Sequence, residues 1–134
     1  MTPFHLKIVT PDGLLFDGQA EELIVRTTSG DLGILAGHIN CVAPLGMGRA
    51  TIITEGQKRY AACIGGLISV NGGTVNLVPT TFEWAEEIDA ARAEASFQRA
   101  QNVLKDKSAS KTDIRLAQAR LHRALVRKSV ASDK

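Results

Sequence analysis

Asn71-Gly72-Gly73-Thr74-Val75-Asn76-Leu77-Val78-Pro79-Thr80-Thr81-Phe82-Glu83-Trp84-Ala85-Glu86-Glu87-Ile88 divides this sequence into two parts with different rules. It contains the last glycines and the last proline of the chain, for there is no glycine beyond Gly73 and no proline beyond Pro79. Glycine supplies positive φ to turns and proline presets one turn dihedral, so a chain that abandons both has left turn-rich structure behind. The composition shift near Trp84 predicts two units, residues 1–84 and residues 85–134.

Upstream, apolar residues recur with the period of two that a half-buried strand requires. Phe4, Leu6 and Ile8 alternate with His5, Lys7 and Val9, and Thr10-Pro11-Asp12-Gly13 follows as a turn signal. Further strand-like runs are Glu22 to Thr27, Arg49 to Thr54, Lys58 to Ile64, Leu67 to Val70 and Thr74 to Val78. Thr28-Ser29-Gly30-Asp31, Glu55-Gly56-Gln57, Gly65-Gly66 and Asn71-Gly72-Gly73 separate them as expected turns. Many short strands at this spacing predict a β-sandwich or flattened barrel.

Downstream the period changes. Glu86 to Leu104 is rich in alanine, glutamate and arginine, all good helix formers. Ile88, Ala91, Ala95 and Val103 fall near one face, and Asp106 to Ser110 is a polar break. Ser110 with Asp113 resembles a capping box that uses Asp where Glu or Gln is usual. Ile114, Ala117, Leu121, Ala124 and Leu125 then repeat at spacings of three and four. The expected class is therefore α+β, an N-terminal β-sandwich followed by a C-terminal antiparallel two-helix hairpin. Alanine stripes bury little area, so the hairpin is expected to be weakly held and mobile.

Composition narrows the function classes. Apolar residues make up 44% and charged residues 22% of the 134 residues, the range of soluble globular proteins. No window is apolar enough for a membrane span, and the N-terminus carries no targeting pattern, so a cytosol-like compartment is expected. Cys41 and Cys63 stand in apolar surroundings and are expected as free thiols. His5, His38 and His122 show no metal-ligand spacing with them. Residues 1–84 carry five Lys/Arg against seven Asp/Glu, whereas residues 85–134 carry eleven against seven. Much of the excess is Arg115, Arg120, Arg123, Arg127 and Lys128, with no acid among them. A basic helix suits an acidic protein surface, a phosphate ligand or nucleic acid, and is otherwise a solvated face.

No catalytic constellation emerges. There is no Gly-x-Ser-x-Gly elbow, no local cysteine signature and no phosphate-cradling P-loop. Leu45-Gly46-Met47-Gly48 and Ile64-Gly65-Gly66-Leu67 open no helix and read as turns or bulges. Glu86-Glu87 reads as an acidic helix start favoured by the helix dipole.

Several segments carry a resemblance when taken in order. They are Val9-Thr10-Pro11-Asp12-Gly13, Ser29-Gly30-Asp31-Leu32-Gly33-Ile34-Leu35-Ala36-Gly37-His38, Gly65-Gly66, and Ala85-Glu86-Glu87-Ile88-Asp89-Ala90-Ala91-Arg92-Ala93. Together they resemble the epsilon subunits of bacterial and plastid F-type ATP synthases, across nearly the whole chain. The resemblance implies a non-catalytic rotor subunit with no required cofactor, peripheral at the cytoplasmic face of the bacterial membrane. It also implies three partners: the gamma subunit, the c-ring and the catalytic beta subunits. In that family the sandwich joins gamma to the c-ring, and the hairpin either folds on the sandwich or extends to inhibit ATP hydrolysis.

Site residues carry over by position. Asp31, in the Ser29–Gly33 segment, matches the region that meets the c-ring loops, and His38 matches the region facing gamma. Ile88-Asp89-x-x-Arg92-Ala93 resembles the motif by which some bacterial epsilon subunits bind regulatory ATP. Arg99 lies about two turns along the same side, and Arg123 and Arg127 at i,i+4 on the second helix complete the expected set. Forked arginines clamp phosphates, while Ile88 and Ala93 offer apolar contact to a base. The competing reading is an Asp89–Arg92 surface ion pair. Phe82 and Trp84 stand where the family often has polar residues, so Trp84 either anchors the junction or faces a ligand. The rival function is a small protein that binds nucleic acid through the basic last helix; against it, that helix has no aromatic residues for stacking.

Overall fold

A computed structural model describes residues 2–133. Its strands are β1 (Phe4–Thr10), β2 (Gly13–Ala20), β3 (Glu22–Thr27), β4 (Gly30–Ile34), β5 (Cys41–Pro44), β6 (Met47–Thr54), β7 (Gln57–Asn71) and β8 (Thr74–Trp84). A short 3-10 turn at Ala85–Glu87 leads to helices α1 (Ala90–Lys105) and α2 (Lys111–Ala131). The expected β-sandwich and helical hairpin both form.

Two layers arise because β7 and β8 run through both of them. The first half of β7 pairs with β6 along Gln57 to Ile64, and its second half pairs with β5 along Leu67 to Val70. On its other edge β7 pairs with β8 from Ala61 to Asn71, and Thr74 to Leu77 of β8 continues in parallel to β1. One layer is therefore β4-β3-β6-β7-β8 and the other β2-β1-β8-β7-β5. The passage between them falls at Gly65 and Gly66, with φ of 69° and 96°. A Cβ on Gly66 would lie 2.1 Å from the Val78 carbonyl oxygen. The glycine pair expected to separate two strands instead bends one strand of 15 residues.

Alternation explains what fills the space between the layers. Phe4, Leu6 and Ile8 point inward from β1 to meet Leu23, Val25, Ile52, Ile68, Val70, Val75 and Leu77 in one cluster. The cluster extends through Ala61 and Cys63 to Phe82 and Trp84, whose rings meet edge to face at 4.9 Å. Both cysteines are free, and burial pushes the Cys63 thiol up to about 12. Strands β2, β4 and β5 did not stand out in the sequence. Each lies at a sheet edge with one paired neighbour, and few of its residues are buried.

The helical half is tied down at one end. The helices meet along a seam of four buried alanines, Ala93 and Ala100 on α1 and Ala117 and Ala124 on α2. Past that seam the last turn of α2 reaches the outer face of β7. There Val130 and Ala131 close over Ala62, Ala85 and Ile88. This second cluster explains why Ala61 to Ile64 are buried on both faces of the strand. Ion pairs ring it, with Arg127 to Glu83 at 2.7 Å and Arg49 to Asp133 at 3.0 Å. The hairpin is folded against the sandwich and held more firmly than alanine content alone suggests.

Helix boundaries follow from capping. Ser110 and Asp113 form the expected capping box at the start of α2. At α1 the expectation is corrected: Glu86 and Glu87 belong to the 3-10 turn, and the helix starts four residues later than Glu86. Ile88, pinned beneath α2, is extended, and Asp89 becomes the N-cap.

Candidate functional site

The groove between the two helices holds the residues expected to bind nucleotide. Near the start of α1 a cleft of about 390 Å³ is lined by Ile88, Asp89, Arg92 and Ala93, with Glu83, Glu87, Ser96 and Arg127. Toward the loop joining the helices, a larger cleft of about 710 Å³ is lined by Arg99, Arg120, Arg123 and Arg127. Ser96 and Arg127 line both clefts, so the two adjoin along the groove between the helices. All seven expected residues, including Arg99, Arg123 and Arg127, line one or the other. Each volume is that of a small-molecule site.

Each wall has a local cause. Asp89 accepts the Arg92 N–H at 3.0 Å, which fixes the first turn of α1. Among the described residues no ion pair joins Asp89 to the Arg92 guanidinium, so the surface-pair alternative is replaced by a helix cap that leaves the guanidinium to the cleft. Arg99 donates to Ser96 at 3.0 Å, holding its side chain along α1. Arg127 Nε donates to Glu83 Oε1 at 2.7 Å, tying the cleft wall to β8. On the far side of α1, Lys128 joins Glu94 and lies 4.1 Å from the centre of the Phe97 ring. That pair, with Gln98, holds the Glu94 carboxyl below its usual range, Gln98 contributing most.

Charge runs along the groove as a gradient. The smaller cleft mixes acids with Arg92 and Arg127 and offers Ile88 and Ala93 as apolar surface. The larger is dominated by arginines until Asp106 and Asp113 appear near the loop. Such a groove accommodates a molecule with an apolar, hydrogen-bonding head and an anionic tail. Glu83 and Ser96 escaped the sequence reading, and Arg120 was read only as part of the basic helix and not as a groove residue. Arg120 shares the i, i+3, i+7 face with Arg123 and Arg127 and was detectable; Glu83 arrives from a strand and was not. Trp84 lines neither helical cleft. It is buried at the junction beneath the Arg59 guanidinium, 3.6 Å from its ring centre, and so anchors the junction.

The sandwich presents a second surface. Outward residues Leu14, Val9, Val78, Leu67 and Pro44 fall opposite or beside one another across β2, β1, β8, β7 and β5. Leu14, Leu67 and Val78 are each more than two-fifths exposed, and Val42 and Ile39 at the β5 end are 71% and 77% exposed. A continuous apolar row on an outer sheet face marks a protein contact. His38 sits in the loop leading to β5, beside Ile39, whose carbonyl accepts from its Nδ1 at 2.8 Å. Asp31 is placed differently from the expectation of a tight loop: it is the second residue of β4, opposite Arg26 and 3.2 Å from its Nε. Among the described residues no His/Cys/Asp/Glu group could hold a metal, and no helix is long and apolar enough to cross a membrane.

A β-sandwich with an outward apolar row, carrying a folded basic hairpin, defines a two-part protein with an exposed contact surface on its sandwich. Family models described as "ATP synthase, Delta/Epsilon chain, beta-sandwich domain" and "ATP synthase, Delta/Epsilon chain, long alpha-helix domain" match residues 3–85 and 86–132. The ATP synthase epsilon chain of Ruminococcus albus is 42% identical over 135 residues, covering 100% of both chains. That of Bacillus velezensis is 43% identical over 99% of this chain and 100% of its own. A chain of the Euglena gracilis mitochondrial ATP synthase superimposes with a TM-score of 0.84 at 23% identity, covering 100% of this chain and 83% of that one, a likeness of fold. The chain belongs to the ATP synthase delta/epsilon family, as an epsilon chain and hence a non-catalytic subunit.

Proposed function

We propose that this subunit couples rotation through its sandwich and senses ATP through its hairpin. The apolar row of Leu14, Val9, Val78, Leu67 and Pro44 docks on gamma, with His38 at its rim, while Asp31 on edge strand β4 faces polar loops of the c-ring. The complex then stands at the cytoplasmic face of the bacterial membrane, held there by its partners. In the extended hairpin the basic side chains of α2 meet acidic segments of the catalytic beta subunits and restrain hydrolysis.

The observation that carries the ATP reading is the pair of adjoining clefts between the helices, one lined by Ile88, Asp89, Arg92 and Ala93 and the other by Arg99 and Arg123, with Arg127 in the wall of both. It exists only while the helices lie side by side, so a ligand in it stabilises the folded hairpin and opposes extension. The base rests against Ile88 and Ala93, and the phosphates follow the arginines. Nothing in the groove is arranged to activate water, so ATP is bound and not turned over.

Titration calorimetry tests this. Arg92→Ala and Arg127→Ala each remove a forked phosphate contact worth about 1.5–3 kcal/mol, weakening ATP binding roughly tenfold or more. Asp89→Asn keeps the cap acceptor, so a loss of binding there reports the missing carboxylate and not a frayed helix. No heat at millimolar ATP would end the sensing role.

A further inference from the structure

Arg120 has no role in the residue set above, yet it lines the groove. On α2 the order Arg127, Arg123, Arg120 runs from the cleft of Ile88 and Asp89 toward the loop between the helices. Steps of four and three residues advance about 6 Å and about 4.5 Å along the helix axis. Across the groove, α1 runs the other way, presenting Arg92, Ser96 and Arg99 and then Val103. A ligand whose base sits against Ile88 and Ala93 therefore lays its phosphates past Arg127, then Arg123, and ends at Arg120.

Beyond Arg120 the charge reverses. Asp106 and Asp113 line the loop end of the same cleft. Both are fixed by local bonds: Asp106 accepts from the Ser108 hydroxyl and N–H at 2.7 and 2.9 Å, and Asp113 belongs to the capping box of α2. The Ser108 bonds hold the Asp106 carboxyl below its usual range, so it stays ionised around neutral pH.

We propose that Arg120 reads the terminal phosphate of a nucleoside triphosphate, and that Asp106 and Asp113 close the groove to a longer phosphate chain. This rests on the groove being the ATP site. Arg120 is thus the specificity-determining residue between tri- and diphosphate, a distinction a rotor regulator needs if it is to follow the ratio of the two. The diphosphate reaches Arg127 and Arg123 and stops short of the last cation.

Calorimetric titration of the full chain with ATP, ADP and adenosine tetraphosphate decides the matter. Arg120→Ala should weaken ATP roughly tenfold, the loss of one charge-assisted contact, and leave ADP within about twofold. Arg115→Ala removes the same charge outside the groove and should change neither. Adenosine tetraphosphate should bind the wild type no more tightly than ATP, despite its extra charge. Equal losses for ATP and ADP in Arg120→Ala, or the same loss in Arg115→Ala, would overturn the assignment while leaving the site intact. A tetraphosphate that binds more tightly than ATP would overturn the acidic stop. A wild type that binds no ATP would overturn the parent reading and this one together.

Discussion

Replacing Gly66 by alanine should be among the most damaging single substitutions in this chain. Its φ of 96° lies where L side chains are strained, which costs about 1–3 kcal/mol by itself. The added Cβ would sit 2.1 Å from the Val78 oxygen and 2.7 Å from the Pro79 Cα. Those are backbone atoms of the paired strand and have no rotamer to adopt, so β7 and β8 must part where the chain passes between layers. Overpacking of this kind adds about 1–3 kcal/mol. The total, about 2–6 kcal/mol, is a large share of the 5–15 kcal/mol that a domain commands. Gly73 is the comparison, since its φ is 83° but nothing lies within 4 Å of the new Cβ, so only the strain term applies. Urea unfolding followed by the fluorescence of Trp84, the one tryptophan, measures both. With a slope of about 1–3 kcal/mol per molar urea, the Gly66→Ala midpoint should fall by about 0.7 M or more. A Gly66→Ala protein no less stable than Gly73→Ala would show that the close approach of β7 to β8 is misread.

Residues 1–84 should fold alone and co-purify with gamma, because the main core lies wholly within them; a folded fragment that fails to bind gamma would refute the division of labour. In the assembled enzyme, Arg115→Glu should raise ATP hydrolysis with subunit composition unchanged, since Arg115 lies outside the groove; unchanged hydrolysis in an epsilon-inhibited enzyme would refute the electrostatic account. Native protein at pH 8 should react with a thiol reagent at half-buried Cys41 and resist at buried Cys63. Because the folded thiol at Cys63 titrates near 12 and the unfolded one near 9, its stability contribution is complete below pH 9 and declines from there toward 12.

How legible these features were depended on whether neighbours or the chain itself set them. The alternation of β1 was readable because one of its faces is wholly buried, whereas edge strand β2 buries so little that its pattern dissolves. Gly65-Gly66 read as a turn because positive φ serves turns and bends alike, and only the pairing of Leu67 with Pro44 and Val78 tells them apart. The start of α1 was misplaced because Ile88 is held by the tail of α2, more than forty residues later. In the groove, Arg99, Arg123 and Arg127 followed from helical spacing and the resemblance. The apolar row did not, since it takes its members from five strands whose register no local signal states.

The alanine seam sets how steeply the hairpin can respond to its surroundings. Burying four methyl groups contributes about 3 kcal/mol at about 0.8 kcal/mol each. A ligand bridging the helices at a hundred times its Kd adds about 2.7 kcal/mol, almost the same amount. Leucines along the seam would make the closed form permanent, and a small molecule could then change its population very little. With methyl groups along the seam, a ligand that contributes a comparable energy would move a substantial share of the population between the open and closed forms. In the proposed ATP-sensing role, the smallest apolar side chain is therefore what would let this hairpin follow ligand concentration.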